Sequence, residues 1–494
     1  MSMSAKIDDR PMRPAASGKD ASVGKGVPLL VAVFIIGLVI PLFINIGPIR
    51  LTFYRIVLLL MFFPGLYYLL SGRVGRLRLP DFCVVGICIW SSLSFIVIHG
   101  LGPMVETIGI FWVETLGAYL VGRIYIRTPD AFHATVRMLF WLGILILPFA
   151  IYEAVTGRNM ITELFGKVGA SYANPQMEQR LGFDRVQGPF PHPIHFGVFF
   201  LSLVGVVYYV LGYGRRWAGR AGRSLAIAFV GAFSLSSGPL VSLMAQANVL
   251  LWDGLMKSVR QRWHILAGLS ATGFVVVDII SNRTPFHVVA TYLAFSTQTA
   301  YSRIWIWQWG TKNIFDNPVF GIGLNDWERG LYMVDSVDMF WILPAMRHGI
   351  PVWIMWLTLF FSIFLAVAYR RNLTERVNWY RTGYLVSMFG FFMVGWTVHF
   401  WTNTYAFFLF LLASGVWILD WQGGDEVTTD KPGDPEPLDR GGIRYTRFPP
   451  STPGADGIQG ERREVNGAGS GGADGSPEAA PMSSRGRAAP RARL

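Results

Sequence analysis

Two polar segments of this sequence, residues 154–192 and 282–338, carry the side chains that could do chemistry. Each segment lies between long apolar stretches and contains arginines together with carboxylates or histidines. An arginine stays charged at neutral pH and binds phosphate oxygens bidentately, so these arginines predict contact with a phosphate-bearing molecule at a membrane surface. The candidates are Arg185 and Arg303, followed by Arg180 and Arg283.

The same segments, with the residues just after them, offer bases for an attacking hydroxyl, and aspartate and histidine are usual general bases. Asp338 and His192 are the first candidates, with His195, Asp335 and His348 behind them. A helix cap is the alternative role for Asp338 and His192, because a polar side chain just before an apolar helix commonly caps it. No group of histidines or carboxylates has the spacing of metal ligands, so we expect neither a metal nor a cofactor.

The apolar stretches around these segments predict the fold class. The chain is 52% hydrophobic and only 15% charged, with a mean hydropathy of +0.39, which indicates an all-α polytopic integral membrane protein. We expect a transmembrane catalytic domain over residues 27–420, after a cytoplasmic segment of residues 1–26 and before a disordered cytoplasmic tail of residues 421–494. About twelve spans are predicted, near residues 27–47, 51–70, 82–99, 104–121, 131–153, 193–213, two within 224–256, 262–281, 349–369, 382–399 and 404–419.

Positive charge predicts the orientation of the spans. The net charge of +12 falls mostly in short clusters that occupy alternate connections, as orientation signals do, so nucleic acid is not an expected partner. Both termini would then be cytoplasmic, and both polar segments would face outward, into the periplasm of a Gram-negative cell. This alternation requires residues 224–256 to cross twice, as two helices that meet where Gly238 and Pro239 interrupt the sequence SLSSGPL near the outer face.

Charges within the predicted spans are a separate candidate feature. Glu106 and Glu114 lie eight residues apart on one span, and Arg137 on the next span could pair with one of them. Intramembrane charges are costly and invite a functional interpretation, although a structural ion pair explains them equally well.

Several fragments of the sequence resemble those of O-antigen ligases and polysaccharide repeat-unit polymerases. The fragment RLGFDRVQGPFPHPIHFG is similar to their Arg, Gly and His-Pro entry into a helix, and SRIWIWQWGTKNIFDNPVFGIGLNDW to their Arg, spaced Trp and Pro-x-x-Gly-x-Gly turn. The matching positions are Arg185, Gly188, His192 and Pro193, then Arg303, Trp307, Pro318, Gly321 and Gly323. In DMFWILPAMRHGIPVW, Gly349 matches, but Asp338 stands where ligases have a histidine. SLSSGPL resembles the family's hairpin without its arginine.

The resemblance implies a helical membrane glycosyltransferase of the GT-C-like type, acting on undecaprenyl-diphosphate-linked glycans at the outer face of the bacterial inner membrane. Asp338 in place of the ligase histidine favours a polymerase of repeat units, which would make an exopolysaccharide or O-antigen. Catalysis would fall to Asp338, His192, Arg303 and Arg185, and substrate binding to Arg180, Arg283, His195, Trp307, Asp335, His348, Gly321 and Gly323. Expected partners are the lipid-linked glycan, membrane lipid, and a chain-length regulator or flippase of the same pathway.

Three alternatives stay open at this point. A ligase would transfer the finished glycan to a lipid A core, whereas a transporter would show related halves with paired discontinuous helices. An accessory subunit without catalysis is the third. For individual residues, Trp307 has the alternative role of an interfacial anchor, and the glycines that of turn residues.

Overall fold

A computed structural model describes residues 26–47, 49–175, 177–280 and 297–422. Within these ranges the chain is mostly helical, and eight helices are long and apolar enough to cross a membrane, which confirms the class of helical polytopic membrane protein. Arg283, nearly all of the N-terminal segment and nearly all of the predicted disordered tail lie outside the described residues. The helices are α1 (Leu29–Val39), α2 (Phe53–Leu70), α3 (Leu79–His99), α4 (Leu101–Tyr125), α5 (Pro129–Thr156), α6 (Met160–Gly166), α7 (Pro193–Val210), α8 (Trp217–Ala232), α9 (Ser237–Leu255), α10 (Arg262–Ile280), α11 (Thr297–Asp316), α12 (Leu343–His348), α13 (Ile350–Tyr369), α14 (Glu375–Val394) and α15 (Thr402–Asp420).

The eight helices that can span a membrane are α2, α3, α4, α5, α7, α10, α13 and α15. Helices α7 and α15 are buried along most of their length, so they form the centre of the bundle. Helix α14 packs against α7 and α9, while α15 packs against α4, and α13 against α3. The polar segments emerge from this bundle between α5 and α7 and after α10.

The first apolar stretch differs from its prediction as a span over residues 27–47. Helix α1 has eleven residues and rises only about 17 Å, too little for a hydrocarbon core of about 30 Å. It ends just before Pro41, which lacks the backbone N–H that a helix interior requires. The chain then forms a small antiparallel sheet in the order β2-β1-β3, from the strands β1 (Leu42–Ile46), β2 (Ile49–Thr52) and β3 (Ala170–Ser171). Its isoleucines are apolar enough to extend the membrane pattern, but β-branching suits them to strands.

Residues 224–256 form the two predicted helices with a break between them, but neither helix is among the eight that can span a membrane. Helices α8 and α9 meet at residues 233–236, and both pack against α7. Leu235 has a φ of 44°, a left-handed conformation that is uncommon outside glycine. We call residues 234–237 the serine break, since three of its four residues are serines.

Glu114 forms a buried ion pair with a partner other than Arg137. It lies in a π-helical turn of α4, Val113–Gly117, where its carboxylate accepts hydrogen bonds from Arg55 Nε at 2.8 Å and from the Tyr54 hydroxyl at 2.5 Å. The predicted pair with Arg137 is therefore wrong for Glu114, because this part of α4 packs against α2. The chain order of the helices does not reveal that packing.

Candidate functional site

Three arginines from the two polar segments converge on the serine break. Their hydrogen-bond acceptors are consecutive residues, so guanidinium groups that are far apart in sequence lie side by side in space. Arg180 Nη1 donates to the Leu235 carbonyl at 2.8 Å, Arg185 Nη2 to Ser236 Oγ at 2.8 Å, and Arg303 Nη2 to Ser237 Oγ at 3.1 Å.

Arg185 and Arg303 form no ion pair with any carboxylate in the described part of the chain. Within the described residues no carboxylate lies within 4 Å of the guanidinium of Arg185 or of Arg303, and each is close enough to Arg180 to feel its charge. Burial, reinforced by that like charge, lowers the pKa of both groups to about 10, so both remain protonated at neutral pH. The arrangement therefore concentrates cationic charge at the ends of helices.

Two donors in the cluster lack acceptors. Arg185 Nε and Arg303 Nη1 are buried, and neither has a hydrogen-bond partner among the residues that the structure describes. A buried donor without an acceptor costs free energy, and the cost is higher when the group is charged. Such donors are therefore rare in folded proteins unless a ligand accepts their hydrogen bonds. Chemically, the cluster can bind an anion with several oxygens, such as a phosphate or diphosphate.

A tight turn presents Arg180. Arg180 and Phe183 exchange both backbone hydrogen bonds at 3.0 Å, with Leu181 and Gly182 between them at φ values of 53° and 78°. Two consecutive residues with positive φ are typical of the type I′ hairpin turn.

The loop that carries Arg185 is fixed by two residues that the sequence analysis missed. The Glu153 carboxylate, at the end of α5, accepts the backbone N–H groups of Gln187 and Gly188 at 2.8 and 3.1 Å, and Asn159 Nδ2 donates to the Gly188 carbonyl at 2.7 Å. Gly188 has a φ of 53°, a left-handed conformation that favours glycine, which explains why the motif has a glycine at this position. The only signal in the sequence was a lone carboxylate at the end of an apolar stretch.

His192 caps α7, which was the alternative to a catalytic role. Its Nδ1 accepts the Ile194 backbone N–H at 3.1 Å. Burial and the charge of Arg185 lower its pKa to about 4, so the ring is neutral at pH 7 and carries its proton on Nε2. The nitrogen of His192 that could act as a base, Nδ1, therefore already accepts the hydrogen bond that caps α7.

His195 and His348 pack within the fold. His195 Nδ1 lies 2.8 Å from Thr404 Oγ1, and its ring stacks on Trp401 with centroids 4.9 Å apart, which joins α7 to α15. His348 is buried edge-on against Phe95, with centroids 4.7 Å apart. Both histidines have packing roles that explain their positions.

A cavity of about 320 Å³ has Asp338 among its lining residues. The Asp338 carboxylate is close enough to Arg303 for their charges to attract, yet burial outweighs that attraction and raises the pKa of Asp338. A carboxylate with a raised pKa is a better proton acceptor than an exposed one. Asp335 lines the same cavity but is exposed and ion-paired with Arg329. Asp338 is thus the stronger base candidate.

The lining of this cavity also includes Arg347, His399 and Trp401, which were not among the predicted site residues. Within the described part of the chain no carboxylate lies within 4 Å of the Arg347 guanidinium, and burial lowers its pKa. Arg347 lies in the fragment PAMRHG, two residues before Gly349. Its position beside a glycine that matches the motif was the only feature of the sequence that could have predicted it as a site residue. His399 and Trp401 follow α14 and carried no motif.

The matched glycines Gly321 and Gly349 join two backbone segments closely. Gly321 has a φ of 70°, and a Cβ there would meet the backbone of residues 346–348. Gly349 has a φ of 84°, and its Cβ would meet the backbone of residues 318–319. Gly323, which lines the cavity, donates its N–H to the Arg347 carbonyl at 2.9 Å. The Pro-x-x-Gly-x-Gly turn therefore positions the segment that carries Arg347.

Trp307 lies one turn after Arg303 on α11, and its ring centroid is 6.1 Å from that of Trp396. The side chain is about one-third exposed, which suits either predicted role, interfacial anchor or sugar-stacking surface.

In the described ranges no group of three histidines, cysteines or carboxylates could hold a metal ion.

Comparison with known proteins adds no relative to this picture. No protein-family model and no curated protein matches the chain.

Proposed function

We propose that this chain is a membrane glycosyltransferase that polymerises undecaprenyl-diphosphate-linked oligosaccharide repeat units into an exopolysaccharide or O-antigen. It would act at the periplasmic face of the bacterial inner membrane, as a multi-pass protein of GT-C-like architecture with a cytoplasmic C-terminus. The observation that carries the proposal is the convergence of Arg180, Arg185 and Arg303 on the serine break, with buried donors left for an anion.

In the proposed reaction the arginines bind the donor diphosphate. An acceptor hydroxyl oxygen forms a bond to the anomeric carbon of the donor glycan, while the bond from that carbon to the diphosphate oxygen breaks. The lipid diphosphate leaves with the bonding electron pair, and the hydroxyl proton passes to the Asp338 carboxylate. Negative charge grows on the leaving oxygen, so fixed positive charge from Arg185 and Arg303 stabilises the transition state.

The cavity beside Asp338 is the proposed acceptor site. Its lining combines Asp338, Arg347 and Trp401, which suits a sugar because an aromatic face stacks on the ring while charged groups bind its hydroxyls. The attraction between Asp338 and Arg303 supports placing the base next to the donor diphosphate.

The ligase alternative would use the same donor arginines and differ only in its acceptor, a lipid A core. Aspartate at position 338, where ligases carry histidine, favours the polymerase. A transporter is less well supported, because the arginines, serines and Asp338 gather at helix ends and in loops instead of at mid-span. A chain-length regulator or flippase of the pathway would be a partner.

The test compares a strain that lacks this chain with the same strain complemented by the intact chain, by Arg303→Ala and by Arg158→Ala. Arg158 is a control from the first polar segment, exposed and paired with Glu163. Sizes of lipid-linked and surface glycans are measured. We expect single repeat units without long polymer in the null and Arg303→Ala strains. Long polymer retained on its carrier lipid would mean a ligase, and an unchanged distribution would refute both enzymes.

A further inference from the structure

A second cavity, of about 330 Å³, lies at the far end of the α7–α9 bundle from the serine break. Helix α9 runs from Ser237, in the arginine cluster, to Asp253, in this cavity, sixteen residues and about 24 Å away. Tyr209 lies at the far end of α7, and Arg262 begins α10. The cavity therefore lies where two candidate spans end, at the membrane face opposite the arginine cluster.

The cavity carries an excess of positive charge. Its lining carboxylate, Asp253, accepts hydrogen bonds from the Tyr209 hydroxyl at 2.6 Å and from Arg262 Nε at 2.7 Å, so it is already neutralised. Arg220 and Lys257 also line the cavity, and in the described ranges neither has a carboxylate within 4 Å. Arg220 and Lys257 thus have no ion-pair partner among the residues that the structure describes.

Arg220 is held in place by contacts that leave its donors available. Its guanidinium lies over the rings of Trp379 and Tyr208, 5.1 and 5.5 Å from their centroids. Its stem packs on Gly212, where a Cβ would come within 2.6 Å of Arg220 Cγ. Arg220 Nε is buried and has no hydrogen-bond partner within the described ranges. An aromatic surface binds the face of a guanidinium and leaves its N–H edge for an anion.

We propose that this cavity binds the phosphate of an anionic glycerophospholipid from the adjoining leaflet. Arg220 and Lys257 contact the phosphate oxygens, and Trp217, which is 70% exposed, lies along the lipid as interfacial tryptophans do. Basic pockets between helices at a membrane surface recognise anionic headgroups in this way. A lipid is favoured over a soluble phosphate because the cavity lies at the ends of apolar spans. The inference does not depend on the proposed function.

The test uses the purified full chain in detergent, with phosphatidylglycerol or phosphatidylcholine added at equal concentration and bound lipid counted by native mass spectrometry. We expect phosphatidylglycerol to bind preferentially. Arg220→Gln and Lys257→Gln should each weaken its binding about fivefold, since a basic side chain near a lipid surface contributes about 1 kcal/mol. The matched control is Arg215→Gln, an exposed arginine just before α8 that does not line the cavity, and it should bind as the intact chain does.

Equal phosphatidylglycerol binding by the intact chain and both cavity variants would overturn the proposal. The lipid would then be attracted by the positive charge of the protein in general and not by this cavity. Lys257 is exposed, so Lys257→Gln tests the site even if Arg220→Gln fails to fold. A competition arm adds inorganic phosphate or a nucleoside diphosphate at millimolar concentration. Retention of the lipid supports the proposal, whereas its displacement would overturn the lipid assignment in favour of a soluble phosphate.

Discussion

Arg303 donates from Nη2 to Ser237 Oγ at 3.1 Å across 66 residues of sequence, while its other terminal nitrogen, Nη1, is buried without an acceptor in the described part of the chain. One half of the guanidinium is thus fixed by the protein and the other half is left for a ligand. This arrangement suits a binding residue, because the hydrogen bond of Nη2 fixes the direction in which Nη1 can donate to a ligand.

Replacing Arg303 should separate activity from stability. Arg303→Met is expected to lower the rate of glycan extension at least about 100-fold, as the loss of an oxyanion-stabilising donor does. It should also raise the melting temperature, since burial lowers the pKa of Arg303 and the folded state therefore disfavours its charge. Both are measured on purified protein in lipid nanodiscs, with Arg158→Met as the control. A fall in both rate and melting temperature would assign Arg303 a structural role.

The serine hydroxyls should matter less than the arginines they hold. Ser236→Ala and Ser237→Ala each remove one hydrogen bond from an arginine, worth about 0.5 to 1.5 kcal/mol, so we expect roughly twofold to tenfold lower extension rates. Ser236→Ala also removes the hydrogen bond that Ser236 donates to the Ser234 carbonyl. Ser224→Ala, a buried serine of α8 away from the break, should leave the rate unchanged. If all three variants extend the glycan at the same rate, the hydrogen bonds from the serine break are not needed to position the arginines.

Asp338 should control the acid limb of the pH profile. Burial raises its pKa above the ordinary 3.8, and a base works only when deprotonated, so the rate should rise with pH through that elevated pKa. Asp338→Asn should remove this limb and lower the rate at least about 100-fold. A raised pKa means that stability is lost as pH rises through it, so Asp338→Asn should melt higher at pH 7. An unaltered pH profile in Asp338→Asn would assign the base to another group.

The two glycines of the turn should be intolerant of any side chain. Gly321→Ala and Gly349→Ala place a Cβ against backbone at positive φ, which we expect to destabilise the chain by about 1 to 3 kcal/mol each. Gly268→Ala, a helical position with nothing within 4 Å, is the control. Thermal unfolding in nanodiscs measures the difference, and a wild-type melting temperature for Gly321→Ala would contradict the close approach.

The Arg55–Glu114 pair should behave as a buried ion pair. Glu114→Gln leaves the Arg55 charge uncompensated, at an expected cost of about 3 to 5 kcal/mol of stability. The double variant Arg55→Met with Glu114→Leu should recover most of that loss, because no buried charge remains. If the single variant melts like the intact chain, the pair has no structural role.

Features that depend on local composition and spacing could be predicted from the residues alone. The apolar stretches predicted a helical membrane chain because each one alone can satisfy its backbone and bury its side chains in lipid. The SLSSGPL sequence predicted a break between α8 and α9. The break lies at residues 233–236, however, and Gly238 and Pro239 lie in the first turn of α9, where a proline is tolerated. The arginines of the polar segments stood out because charge is rare in this chain.

The tertiary structure alone decided which of these features meet. Arg185 and Ser236 are 51 residues apart and Arg303 and Ser237 are 66 apart, and no local pattern encodes contacts at that separation. Arg347, His399 and Trp401 belong to the site only because the fold brings them to the cavity that Asp338 also lines. Glu114 likewise pairs with Arg55 and not with Arg137, because the packing of α4 against α2 decides which arginine is near. Long-range packing selects partners from many residues of equal chemistry, and only the folded chain fixes the distances between them.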